Sequence, residues 1–170
     1  MKKIYTTLLC LLVVGCSNLP FNERFNNVGW KKVIIAPFTG NSAKVAEAKF
    51  EHALAVSSKF IVISSSMSLA MLKENDLSEL HTTDPTKALF LLAEKINAQG
   101  VIFGEATIIV PQNQRRGSMA SSTAEIYVKL VDVESKSIVA TSHHNSSSMF
   151  SGVNSLVQNV SLEAIDDFYE

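Results

Sequence analysis

Apolar positions along this 170-residue chain keep more than one rhythm, and each rhythm predicts a different element. Val33 to Phe38 is a continuous apolar run rich in β-branched residues, bounded by Lys31-Lys32 and by Thr39-Gly40-Asn41. A short run without alternation suits a strand covered on both faces, so it is predicted as a central strand. Phe60 to Ile63 predicts a second buried strand on the same grounds. Between the two, Val45, Ala46, Phe50, Ala53 and Leu54 recur at helical spacing, in a helix that Ser42 is placed to cap. A shorter helical stretch, about Met67 to Lys73, fades into Glu74-Asn75-Asp76. Asp84-Pro85 then supplies an N-cap and a proline at the first helical position. Ala88, Leu91, Leu92, Ala93 and Ile96 line one side of that helix, which Gly100 is expected to end.

Beyond Gly100 the period shortens to two. Val101 to Val110 predicts a long strand and Pro111 to Ser122 a polar loop. Thr123 to Val133 predicts a strand with Ala124, Ile126, Val128 and Leu130 on one face and Glu125, Tyr127 and Lys129 on the other. The turn Asp132 to Ser137 leads into Ile138 to Ser142, a third antiparallel strand. Val153, Leu156, Val157, Val160, Ala164 and Phe168 then form the stripe of an amphipathic helix that closes over the sheet. The order βαβα(α)βββα defines an α/β sandwich over residues 31–170, with a mixed sheet whose C-terminal part is an antiparallel meander.

The first thirty residues follow another logic. Lys2 and Lys3 precede the eleven apolar-rich positions Ile4 to Val14, and Gly15 and Cys16 follow. This is the layout of a signal peptide, too short for a spanning helix, which needs roughly 20 apolar residues. Val13-Val14-Gly15-Cys16 resembles the bacterial lipobox. That resemblance implies cleavage between Gly15 and Cys16 and a diacylglycerol on the Cys16 thiol. Several acyl chains anchor far more firmly than one. Ser17 stands where an aspartate would mark inner-membrane retention, so the expected location is the periplasmic face of the outer membrane. Residues 1–15 are then signal peptide and 16–30 a lipidated tether. Ser17 to Trp30 is polar, Asn-rich and broken by Pro20, and its fourteen residues reach about 50 Å at full extension. Phe21, Phe25 and Trp30 are candidates to touch the membrane interface, or to cover the domain's own surface.

Composition narrows the function classes. Cys10 lies in the signal segment and Cys16 carries the lipid, which leaves the mature chain no cysteine for a disulfide. Without Lys2 and Lys3 the chain has 13 basic against 16 acidic residues, and its adjacent arginines are Arg115-Arg116 in a loop. That is no footprint for nucleic acid. His52, His81, His143 and His144 show no ligand spacing, and His143 and His144, adjacent on a strand, face opposite ways, so no metal is expected. The runs Ser64-Ser65-Ser66 and Ser146-Ser147-Ser148 lack a nucleophile elbow. Asp132 and Glu134 flank a tight turn and read as turn stabilisers rather than an acid/base pair. No cofactor, small-molecule substrate or catalytic residue is indicated, and the chain reads as a non-enzyme.

Four segments carry a family resemblance. They are Val33-Ile34-Ile35-Ala36-Pro37-Phe38, Lys59 to Ile63, Ala98 to Ala106, and Val128-Lys129-Leu130-Val131-Asp132-Val133 continuing to Val139. In order and spacing they resemble the superfamily of bacterial envelope proteins that includes the curli secretion lipoprotein CsgG, the TolB N-terminal domain, the peptidoglycan synthase activator LpoB and the exopolysaccharide lipoprotein PelC. The resemblance covers residues 31–170 and implies its α/β fold. It further implies a subunit or accessory of an envelope secretion, export or appendage assembly, forming homo-oligomers or binding envelope proteins. The alternative is a monomeric activator of a peptidoglycan synthase or another envelope enzyme. The loop Pro111 to Ser122 is too short and polar for membrane-crossing hairpins of about 9 to 11 residues per strand. A fourteen-residue tether is short for reaching an enzyme in the opposite membrane. Because rings in this superfamily assemble through the sides of the sandwich, Lys44, Glu47, Arg115 and Arg116 are the candidate contact residues.

Overall fold

A computed structural model describes residues 29–57, 59–110 and 121–168. Strands β1 (Lys32–Ile35), β2 (Ile61–Ile63), β3 (Gly100–Ile109), β4 (Ser122–Asp132) and β5 (Ile138–Ser148) form one sheet in the order β2-β1-β3-β4-β5. β1 lies between β2 and β3 and is parallel to both, while β3, β4 and β5 form the antiparallel meander. β1 is therefore a central strand, with Val33, Ile34 and Ile35 buried on alternate faces.

Each face is covered by a different pair of helices. α1 (Ala43–Val56) and α5 (Val153–Asp166) lie on the face made by Val33, Ile35, Ile102, Ala106, Ile126, Val128 and Leu130. Ala46, Phe50 and Leu54 recur every four residues on α1, and Leu156, Val157, Val160 and Ala164 make the stripe on α5. Phe50 lies between Phe38 and Phe168, with ring centroids at 5.4 and 6.5 Å. On the other face α2 (Ser65–Glu74) and α4 (Pro85–Lys95) press Leu72, Ala88, Leu89 and Leu92 onto Ile34, Ile63 and Val101. Full burial of each leucine stabilises by about 1.5–3 kcal/mol.

Several details differ from the sequence reading. Phe60 to Ile63 was expected to be covered on both faces, but β2 is an edge strand and Ile61 is 61% exposed. Ser42 stands at the start of α1 without a capping side-chain bond; its N–H instead donates to Ala106 O at 3.1 Å. The preceding turn passes so close to β3 that a Cβ on Gly40 would lie 2.2 Å from Ala106 O, and Gly40 has φ +96°. Gly100 does not end a helix. α4 stops at Lys95, Asn97 turns the chain with φ 55°, and Gly100 opens β3. β5 runs to Ser148, six residues beyond the expected end. A short helix, α3 (Ser78–Thr83), follows α2 and buries none of its own residues.

The Asp84-Pro85 signal holds: Asp84 Oδ1 accepts the Lys87 N–H at 2.9 Å with Pro85 at the first turn. Ser64 caps α2 by accepting the Met67 N–H at 3.2 Å. Among the described residues no helix is long and apolar enough to cross a membrane.

Candidate functional site

The second helix pair covers β2, β1 and the start of β3, and then stops. Phe103, against Phe90 of α4 at 6.3 Å, is the last β3 side chain on this face in contact with a helix ring. Beyond it three cross-strand rows lie outside the described helix pairs: Glu105–Tyr127–His143, Thr107–Glu125–Asn145 and Ile109–Thr123–Ser147. The alternation of β4 produces this surface directly, since Ala124, Ile126 and Val128 on the opposite side are fully buried under α1 and α5.

Two shallow concavities meet on this face. One, of about 340 Å³, is lined by Glu105, Thr107, Glu125, Tyr127 and His143. The other, of about 230 Å³, runs past Phe103, Gly104 and Lys129 to Pro37 and Thr39, and shares Glu105 and Tyr127 with the first. Together they make one trough across the strands. Tyr127 is 42% exposed at its centre. His143 Nε2 donates to Glu125 Oε1 at 2.7 Å, and the His143 ring lies 6.5 Å from that of Tyr127. Lys129 Nζ sits 5.1 Å from the Phe103 ring centroid.

The expected site residues fall in several places. Gly15, Cys16, Phe21, Phe25, Arg115 and Arg116 lie outside the described residues. Lys44 is exposed on α1. Glu47, expected as a contact charge, is turned inward: one carboxylate oxygen accepts the Phe38 N–H at 2.8 Å and the other the Ser65 hydroxyl. With Glu51, which accepts the Ser65 N–H at 2.8 Å, it fastens α1 to the first turn of α2, where negative charge is favoured. A helical spacing of four carries no sign of this, because the partners come from segments 9 and 18 residues away.

Trp30 is not available to a membrane interface. It is 6% exposed, its ring lies against Gly100, and its indole N–H donates to Asp132 Oδ1 at 3.0 Å. A Cβ on Gly100 would come within 2.4 Å of that ring, so the small residue makes room for the large one. Asp132 stabilises its turn: Oδ2 accepts both the N–H and the hydroxyl of Ser135 at 2.8 Å. Partial burial works to raise its pKa. The hydrogen bonds from Ser135, Trp30 and the Glu134 backbone outweigh that and hold it below the ordinary aspartate value.

His143 and His144 do face opposite ways. His144, under α5, is bracketed by Asp167 Oδ2 at 2.7 Å and Glu163 Oε2 at 3.4 Å, and Asp167 also accepts the Ser142 hydroxyl at 2.6 Å. This cluster binds α5 to β5. His52 lies on α1 and His81 on α3, on different faces of the sheet. Among the described residues no group of three or more His, Cys, Asp or Glu is placed to hold a metal ion.

The fold is a five-stranded mixed sheet with an antiparallel C-terminal meander, packed by helices. The chain resembles three solved structures at this level. Lipoprotein GNA1162 from Neisseria meningitidis matches with TM-score 0.54 and 14% identity, over 82% of this chain and 99% of that one. The PelC dodecamer from Paraburkholderia phytofirmans matches at 0.52 and 12%, over 81% and 88%. The LpoB C-terminal domain from Escherichia coli matches at 0.51 and 16%, over 75% and 96%. No protein-family model matches the sequence, and no curated protein does.

Proposed function

We propose that this chain is a non-enzymatic lipoprotein of the outer membrane, anchored through Cys16 on the periplasmic side, that serves as an oligomerising subunit or accessory factor of an envelope export, secretion or appendage assembly. The observation that carries the reading is the fold, shared at similar size with a protein described as a lipoprotein and with one described as a dodecamer. The lipobox at Val13-Val14-Gly15-Cys16 supplies the anchor. The described surface offers a shallow trough lined by half-exposed side chains and no converging catalytic group, which suits protein contact. Its chemistry is then that of an interface, with affinity set by the residues it presents and by the number of copies engaged.

The second reading, a monomeric activator of a peptidoglycan synthase or other envelope enzyme, draws on the equally good match to the LpoB C-terminal domain. Molar mass separates the two. Light scattering on the acylated chain in detergent gives a discrete closed oligomer for a ring subunit and a monomer for an activator. Fractionation of Cys16→Ala tests the anchor: the variant is expected in the soluble fraction, and retention on the membrane would overturn that part.

A further inference from the structure

We infer that residues 36–42, between β1 and α1, form a strap that closes one edge of β3 against pairing with a strand of a second copy of the chain, with the Asn41 carboxamide as its last fastening. The inference concerns how the sheet is kept to itself and does not depend on the function proposed above. β3 has ten residues, but β1 pairs with only the first three, Gly100, Val101 and Ile102. A strand edge left open over the remaining length presents unpaired N–H and C=O groups, the template on which another strand adds. On β3 those groups are taken one after another. The Ala36 N–H donates to Ile102 O and the Thr39 N–H to Gly104 O, both at 2.9 Å. The Ala106 N–H donates to Thr39 O at 2.9 Å, and the Ser42 N–H to Ala106 O at 3.1 Å.

The strap is not simply more of β1. Ile35 stands opposite Ile102 and Thr39 opposite Glu105, an advance of four residues against three, so the connection carries one extra residue, as a bulge does. Its sequence fits that irregular path. Pro37 has no N–H to leave idle, and the Phe38 N–H, turned off the ladder, is taken by Glu47 Oε2 at 2.8 Å. Gly40 then lets the backbone come so near β3 that a Cβ would lie 2.2 Å from Ala106 O. Asn41 finishes the edge with its side chain: Oδ1 accepts the Ile108 N–H at 2.7 Å, and Nδ2 donates to Ile108 O at 2.9 Å. A carboxamide carries both a donor and an acceptor, as a peptide group does, so it stands in for the next residue of a facing strand. Through Ile108 the edge is thereby closed by the chain itself.

The test uses the full acylated chain in neutral detergent. Asn41→Ala removes the last fastening, and Gly40→Ala/Asn41→Ala also forces the strap off the Ala106 carbonyl. Amide hydrogen exchange is read by NMR at Ala106 and Ile108, whose N–H groups face the strap, and at Thr107, whose N–H faces β4. Asn41→Ala is expected to speed exchange at Ile108 by about 5- to 100-fold, the worth of one to two hydrogen bonds, and to change Thr107 by less than about 2-fold. The double variant is expected to extend the acceleration to Ala106. Its molar mass by light scattering should also climb with concentration toward about double the wild-type value. Lys44→Ala, exposed on α1, should alter neither exchange nor mass. Unchanged exchange at Ile108 in Asn41→Ala, or equal acceleration at Ile108 and Thr107, would overturn the fastening. Fast exchange at both Ala106 and Ile108 with the wild-type mass at every concentration would overturn the guard. If the double variant loses its cooperative thermal transition, Asn41→Ala, a truncation of an exposed side chain, carries both readouts alone.

Discussion

Replacing Trp30 with alanine distinguishes a core role from a membrane role for the residue that stands just ahead of β1. The side chain is almost fully buried, and a tryptophan buries about 150–250 Å². At roughly 25 cal/mol per Å² that corresponds to about 4–6 kcal/mol, an upper bound because the unfolded chain is already partly collapsed. Measured losses for such truncations are about 3–5 kcal/mol. Trp30→Phe removes the indole donor to Asp132 together with part of the ring area packed near Gly100; the lost hydrogen bond to a charged group alone should cost about 1.5–3 kcal/mol, and the smaller ring adds to it. Urea unfolding of the full chain, followed by circular dichroism, should show the midpoint falling in the order wild type, Phe, Ala at constant m. Gly100→Ala supplies the coupling test. Its new methyl meets the Trp30 ring, so it should be costly in the wild type and cheaper in the Trp30→Ala background. If Trp30→Ala stays within about 0.5 kcal/mol of wild type, as an exposed position would, and instead lowers retention on vesicles, the packing argument is refuted.

Three further outcomes can be measured in the same way. Asp132→Asn should destabilise at pH 7 by about 1–2 kcal/mol. Because the folded pKa of Asp132 lies below its unfolded value near 3.8, its contribution is complete above that value and lost as pH falls through the folded one; the gap between wild type and variant should therefore close in strong acid. Glu47→Ala leaves the Phe38 N–H and the Ser65 hydroxyl without their acceptor and should cost about 1–3 kcal/mol in thermal unfolding, while leaving the molar mass of the native protein unchanged. Gly40→Ala should cost more than Gly29→Ala. Both glycines have positive φ, but the new methyl at 40 strikes the Ala106 carbonyl and at 29 meets nothing within 4 Å.

Much of this architecture was legible where one side of an element is dry. The alternation of Ala124, Ile126, Val128 and Leu130 survives in the structure residue for residue, while the helix stripes hold in outline: on α4 Leu89 is buried and Leu91 only half-buried, and on α5 Val153 is exposed. The failures share a physical cause. The second half of β5, His143 to Ser148, sets His144 against Asp167 and Glu163 and otherwise carries Asn145 and three serines, so no apolar period announces it. β2 reads as buried from composition, but its edge position depends on the sheet order, which local pattern does not encode. α3 sets only the half-buried Leu80 against the core, too little to leave a period. Of the candidate contacts, Glu47 accepts its hydrogen bonds from tertiary donors, which local spacing does not show. The trough was half visible: Glu125, Tyr127 and Lys129 were already assigned to the non-core face. Only the strand register shows that Glu105 and His143 flank the tyrosine.

The parallel pairing of β1 with both neighbours also has a mechanical side. With the anchor proposed at Cys16, drag on the domain would become tension on the peptide that enters at Lys32, and that peptide is the middle strand of three. Tension along its axis loads the hydrogen bonds on both flanks together, in shear, instead of peeling them one at a time from an edge. The Trp30 indole, braced on Gly100 and Asp132, stands just ahead of that strand as a stop. The domain is thereby built to be held by its first strand.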